Sequence, residues 1–263
     1  MQLSDILKGV HLSGTQQAPA LVLLHSSMSS ARQWRPLCAS LASHFRLINI
    51  DLFGYGDAPQ ASGCKGFSLS HETDRIQLIL EELAVTEFSL LGHSYGGAVA
   101  LKMAYDHSSR VNSLQLFEPV AFHLLKKGCP ARLEVETLAS NMDSLSKEQA
   151  AASFVDYWNG EGFFARCPSS MQQLFCSQVA KVGLDFQALI NEPNGLEQYA
   201  TLPMPTQLLS GRQTRQSAKN VAQSLLSVQP SWQYHEVEGG HMAPISHAQL
   251  VNSALIGFLQ SPE

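Results

Sequence analysis

In this 263-residue sequence an apolar run, "FSLL" (88–91), ends in Gly92-His93-Ser94-Tyr95-Gly96 and gives way to "GAVALKMAYDH" (97–107), which carries a helical pattern. A chain that passes from strand to helix across five residues, with a glycine two positions either side of a serine, has few ways to turn. A side chain at either glycine would strike the neighbouring strand or helix. The junction therefore predicts a strand, a sharp turn with Ser94 at its apex, and a helix over 95–107.

The same alternation runs through most of the chain. Short apolar runs punctuated by glycine or proline occur at "ALVLLH" (20–25), "RLINID" (46–51), "FSLLGH" (88–93), "LQLFEP" (114–119) and "TQLLSG" (206–211), with a more polar one at "YHEVEGG" (234–240). Runs of this length without alternation suit strands covered on both faces. Helical patterns separate most of them, at 31–42, 70–83, 95–107, 217–226 and 248–259. Strand followed by helix in this order predicts an α/β fold: a mostly parallel sheet flanked by helices. From about residue 122 to 204 the strand signal lapses and only helix-compatible segments remain, so a body of 1–121 and 205–263 is expected to carry a helical cap inserted over 122–204. Within it, "SKEQAAASFVDYWNG" (146–160) has Ser146 and Glu148 near a helix start and Gly160 as a stop. Phe154, Tyr157 and Trp158 share a face of that helix. Packing the cap onto the body is the first reading of these aromatics, and lining a ligand pocket is the other.

Charge and cysteines narrow the function classes. Seventeen basic against 22 acidic residues give a net charge of −5, and the longest basic run is Lys126-Lys127, so a nucleic-acid backbone would meet no positive stripe. Cys38, Cys64, Cys129, Cys167 and Cys176 form no C-x-x-C pair, which speaks against a zinc site and a disulfide framework and for reduced, mostly packed thiols. The start of the chain meets Asp5 and Lys8 without the apolar block of a secretory signal, and no segment approaches eighteen consecutive apolar residues. A cytoplasmic protein with no membrane or nucleic-acid partner is expected. No metal or cofactor is called for: H-E-x-x-H is absent, and so are both G-x-G-x-x-G and the G-x-x-x-x-G-K phosphate loop.

Gly92-His93-Ser94-Tyr95-Gly96 fits the G-x-S-x-G nucleophile elbow, in which a strained turn presents the serine hydroxyl. The alternative is a serine that merely caps a helix. A nucleophilic serine needs a general base, which comes last in the chain if the order is serine, acid, histidine. "VEGGHMAP" supplies His241 directly after the final strand run, where Gly239 and Gly240 let the backbone approach closely. His247, near the start of the last helix, is the weaker choice. Asp51, at a strand end in "DLFGYG", is expected to fix its turn through backbone N–H groups. Asp74, Glu81 and Glu82 are expected to be solvated.

"HSSMSSARQW", "DLFGYG", "GHSYGG" and "GGHMAP", in this order and spacing, resemble the α/β-hydrolase fold family across most of the body and little of the cap. The resemblance implies that Ser27 and Tyr95 donate the backbone N–H groups of an oxyanion hole, although Ser26 stands where glycine is usual. The family's more frequent acid lies in the loop after "TQLLSG", but this chain has Thr214 near that place and no carboxylate between Glu197 and Glu236. A second arrangement in the family sets the acid at the end of the strand after the nucleophile helix, which here is Glu118. A solvated Glu118 is the competing reading, and Glu236 and Glu238 lie close before His241 for an easy approach.

The combined expectation is a cofactor-independent serine hydrolase: Ser94 as nucleophile, His241 as base and Glu118 as its orienting acid. It would cut a carboxylic ester or thioester of a small, mainly apolar molecule through an acyl-enzyme. Hydrolysis of a carbon–carbon bond or acyl transfer would use the same residues. A slow-turnover ligand receptor on the same scaffold is the reading from another class. Dehalogenation is excluded by Ser94, since it needs a carboxylate nucleophile there.

Overall fold

A computed structural model of the chain describes residues 6–61 and 66–260, so Cys64 lies outside the described residues. Seven strands form one sheet: β1 (Val10–Gly14), β2 (Ala20–Leu24), β3 (Arg46–Ile50), β4 (Phe88–His93), β5 (Val111–Phe117), β6 (Thr206–Gly211) and β7 (Gln233–Val237). Their order is β1-β3-β2-β4-β5-β6-β7. All neighbours are parallel except β1, which pairs antiparallel with β3. The apolar runs of the sequence became β2 to β6. β1 is the strand the runs do not announce, because "VHLSG" is an edge strand with mostly exposed side chains and needs no apolar face. The polar β7 closes the other edge.

The helices cover both faces, and the alternation of side chains along each strand decides which apolar group goes where. Val22, Leu24, Ile48 and Ile50 point to the face covered by α2 (Leu69–Glu82), α3 (Tyr95–Asp106) and α7 (Gln216–Val228). Leu21, Leu23 and Leu47 point to the other, covered by α1 (Arg35–Leu41) and α8 (Ala248–Leu259). The helical pattern over 31–42 resolves into a tight 3₁₀ turn, Ala31–Trp34, followed by α1 with Pro36 in its first turn.

Between β5 and β6 every regular element is helical: chiefly α4 (Pro130–Ser144), α5 (Lys147–Asn159) and α6 (Ser169–Ile190). Ser146 and Gln149 cap α5 reciprocally, and Gly160 ends it at φ 99°, a conformation that favours glycine. The segment shares the apolar cluster of the α2–α3 face, through Val135, Leu138, Val155, Val182 and Phe186 among others. Among the described residues no helix is long and apolar enough to cross a membrane.

Strand order reverses on either side of β2: β3 lies to one side and β4 to the other, so the loops after β2 and β4 part and leave a crevice at their carboxyl ends. There the start of α3 passes so near β2 that a Cβ at Gly96 would lie 2.6 Å from the Leu24 carbonyl oxygen and also strike that of His25. A Cβ at Gly92 would lie 2.7 Å from Gly97 Cα. Both contacts are with backbone, which cannot swing aside. Replacing Gly96 with alanine is therefore expected to destabilise the fold by about 3 kcal/mol, read as a lower urea midpoint. An unchanged midpoint would mean that α3 can slide away from β2 without loss.

Candidate active site

Ser94 closes β4 and sits at the N-cap of α3 with φ 57° and ψ −120°, outside the regions open to most side chains. Its N–H donates to the Phe117 carbonyl at 3.0 Å, and its own carbonyl accepts from Val120 at 3.3 Å, so the end of β5 and the loop after it hold the turn on both sides. The sequence signal at 92–96 thus corresponds to a strained turn whose strain is opposed by close packing.

Glu118 ends β5, one strand away, and also has a left-handed backbone, φ 44°. It is wholly buried. The solvated reading of Glu118 is therefore overturned: Oε1 accepts the Gly211 N–H at 2.7 Å, while Oε2 accepts the Thr214 hydroxyl at 2.6 Å and faces His241 Nδ1 at 2.6 Å. Thr214, which stands near the family's usual acid position, donates to the carboxylate that follows β5. His241 Nε2 lies 2.8 Å from Ser94 Oγ. A carboxylate facing Nδ1 makes that nitrogen the N–H donor and leaves Nε2 free to accept the serine proton. His247 is exposed and turns its Nδ1 to the Ser246 hydroxyl, Glu236 is exposed, and Glu238 takes the Gln213 side chain at 2.7 Å.

Besides Glu118, two groups hold His241. Trp158 stacks on its ring at 3.7 Å between centroids. His93 Nε2 donates to its carbonyl at 2.9 Å, and burial keeps the His93 imidazole well below its usual pKa. Asp51 keeps to the structural part read for it: Oδ1 accepts the Ala31 N–H at 2.6 Å and Oδ2 the Asp57 N–H at 2.9 Å. Asp74, Glu81 and Glu82 are exposed on α2.

A narrow cleft lies beside Ser94, with apolar walls that include Val120, Phe122, Phe154, Trp158, Val182 and Phe186. Phe154 and Trp158 belong to the trio of α5 aromatics and serve both readings: they line the cleft and share the buried apolar cluster of the body. Tyr157 instead packs against the body, its hydroxyl 2.7 Å from Ser217 Oγ on α7. Ser27 and Asp185 complete the lining. Tyr95 opens α3, where backbone N–H groups converge at the positive end of the helix.

Beside the cleft lies a group of charges that the sequence reading did not single out. Lys181 and Asp185 of α6 pair with each other, and Lys181 also reaches Glu72 Oε1 at 3.3 Å. Burial pushes both carboxyls up from their ordinary range, against the pull of the ammonium. The signal was present in spacing: 181 and 185 are one turn apart on a face that also carries Gln178 and Ala188, all buried. The four described cysteines, Cys38, Cys129, Cys167 and Cys176, are free and half-buried.

Residues 19–248 match the family model described as alpha/beta hydrolase fold. The chain belongs to that family. Over 142 residues it is 28% identical to the pimeloyl-(acyl-carrier protein) methyl ester esterase of Nitrosomonas europaea, covering 54% of either chain, so it spans about half the length of that relative. A putative carbamate hydrolase of Yersinia enterocolitica is 23% identical over 270 residues, 93% of this chain and 89% of that one. Among solved structures, the enol-lactonase of Burkholderia xenovorans shares the fold with a TM-score of 0.80 over 96% of both chains, at 19% identity.

In this α/β-hydrolase, His25 lies under the loop after β2, its Nδ1 2.7 Å from the Ser26 carbonyl and its Nε2 accepting the Leu52 N–H at 3.0 Å. Burial pushes its imidazole from 6.5 down to about 4. Between those values the unfolded chain binds a proton here that the folded chain refuses, so the stability His25 contributes is complete above pH 6.5 and is lost as pH falls towards 4. The stability difference between the parent and His25→Asn, from urea unfolding, should shift against the parent by about 2 kcal/mol between pH 7 and pH 4.5. A difference that stays constant with pH would show that His25 protonates equally in both states.

Proposed function

We propose that this α/β-hydrolase is a serine hydrolase that cuts a carboxylic ester or thioester of a small, mainly apolar molecule through an acyl-enzyme on Ser94. The observation that carries the reading is the continuous relay of hydrogen bonds from Ser94 Oγ through His241 to Glu118, at 2.8 and 2.6 Å. In a catalytic cycle the Ser94 oxygen attacks the acyl carbon while its proton passes to His241 Nε2. Negative charge develops on the carbonyl oxygen, where the N–H groups of Ser27 and Tyr95 stabilise it. Collapse of that adduct expels the alcohol or thiol, which takes the proton back from His241. Water then gives a proton to His241 and attacks the acyl group, and the acid leaves as Ser94 recovers its hydrogen. Glu118 holds the imidazole in the tautomer that accepts at Nε2.

Apolar lining favours a hydrocarbon portion next to the scissile bond, and the helices over 122–204 act as the cap that sorts substrates. The related esterase and lactonase names also describe cleavage at an acyl carbon. A small-molecule substrate and a cytoplasmic setting complete the reading.

A fluorophosphonate probe should label Ser94, and Ser94→Ala should lose both the label and the turnover of p-nitrophenyl esters. Glu118→Gln keeps the size of the side chain but presents an amide that cannot satisfy the Gly211, Thr214 and His241 donors together. It should fold yet lose about two to four orders of magnitude in kcat. Parent-like turnover by Glu118→Gln would remove Glu118 from the relay. Rapid labelling of Ser94 with no turnover of any ester chain length would favour the receptor reading instead.

A further inference from the structure

The helical segment carries a carboxylate to the loop that faces Ser94. Asp185 Oδ2 accepts the Ser27 hydroxyl at 2.6 Å and the Tyr55 hydroxyl at 2.5 Å, and Oδ1 takes the Lys181 ammonium. Lys181 is braced in turn: the ring centres of Tyr55, Phe67 and Tyr95 stand 4.9, 4.7 and 4.6 Å from its nitrogen, and Glu72 lies behind it. Apolar residues of the same volume would pack α6 on the body at least as well as a buried ion pair does. What the pair adds is direction, since a carboxylate fixed by several donors aims its remaining lone pairs at one place.

That place is a loop under strain. Met28, next to Ser27, has φ 55°, a conformation that a non-glycine side chain resists. The body holds one side of the loop: Gln33 Oε1 accepts the Ser26 N–H and hydroxyl at 3.3 and 3.0 Å, and His25 bonds the Ser26 carbonyl. The other side is gripped from α6, by Asp185 on the Ser27 hydroxyl. Ser27 also lines the cleft together with Ser94 and Asp185.

We propose that Asp185, braced by Lys181, is a positioning residue that holds the Ser27 hydroxyl and thereby aims the Ser27 backbone N–H at the oxyanion formed on Ser94. The proposal rests on the reading of Ser94 as nucleophile and assigns the cap a part in the chemistry as well as in substrate choice. Seating α6 on the body and completing the oxyanion site become one event. The Ser27 side chain, which the oxyanion function itself does not need, gains a purpose.

The test is steady-state kinetics on p-nitrophenyl acetate with the full chain and its Ser27→Ala, Ser27→Thr, Asp185→Ala and Ser27→Ala/Asp185→Ala variants. Ser27→Ala keeps the backbone N–H and leaves Asp185 paired with Lys181 and Tyr55, so it is the variant least exposed to misfolding. Its kcat, per folded protein by circular dichroism, should fall on the order of 10-fold or more with little change in KM, because the interaction matters only when the oxyanion forms. Ser27→Thr, which restores a hydroxyl, should regain most of the rate. Asp185→Ala should lose a similar factor, and the double variant should be no slower than the slower single one. Parent kcat in Ser27→Ala, losses that multiply in the double variant, or an effect on KM alone would each overturn the proposal. If Asp185→Ala does not fold, the contrast between alanine and threonine at position 27 decides. A parent chain inactive on every ester overturns the serine-hydrolase reading itself, a result distinct from an active parent whose variants match it.

Discussion

A carboxylate with no exposure to water is the constraint around which the rest of the site is arranged. Glu118 can occupy the interior only because three donors from two separate stretches meet it: the Gly211 N–H at the end of β6, the Thr214 hydroxyl in the following loop and the His241 ring after β7. Without them, burial of the charge would cost several kcal/mol. The same three bonds set the imidazole in its plane and select its tautomer. Trp158 on one face and the His93 bond to the backbone then leave that ring little freedom to turn.

Strain is concentrated at the same place. Ser94 and Glu118 end adjacent parallel strands, and both have positive φ without being glycine. Such conformations persist where surrounding packing over-determines them. At Ser94 the agents are visible: Gly92 and Gly96 admit backbone contacts that a side chain would block, and Phe117 of β5 and Val120 after it bond the turn on either side. A sheet held on both faces by α2, α3 and α7 and by α1 and α8 supplies the rigidity, while loops at its carboxyl edge supply the chemical groups.

Much of this is legible in the sequence. Strands buried on both faces announce themselves as apolar runs because most of their side chains meet apolar neighbours on either face, and β2 to β6 appear in that way. β1 escaped for the opposite reason, since an edge strand with exposed side chains is under no such compositional demand. Glu118 could be reached by noticing that residues 198–235 contain no acid, which leaves few carboxylates able to stand beside His241. The pairing of Asp185 with Ser27 could not be reached so, because 158 positions separate them and only Ser27 belongs to a motif. Lys181 and Asp185 resemble an ordinary surface pair at helical spacing until the burial of their face is known. The α5 aromatics show the same ambiguity: Phe154 and Trp158 turn to the cleft and Tyr157 to α7, a division that depends on how the helix is rotated against its neighbours.

Local order alone determined the strand–turn–helix at Ser94, the alternation that makes a parallel sheet, the capped helix over Lys147–Asn159 and the placing of a histidine after the last strand. These follow from steric and hydrophobic rules that act over a few neighbouring residues. Only the tertiary structure decided which carboxylates are buried, which donors satisfy them, and that the helical segment reaches the loop after β2 through Asp185. Those outcomes depend on desolvation and on meetings between distant stretches, and both are properties of the packed chain rather than of any window along it.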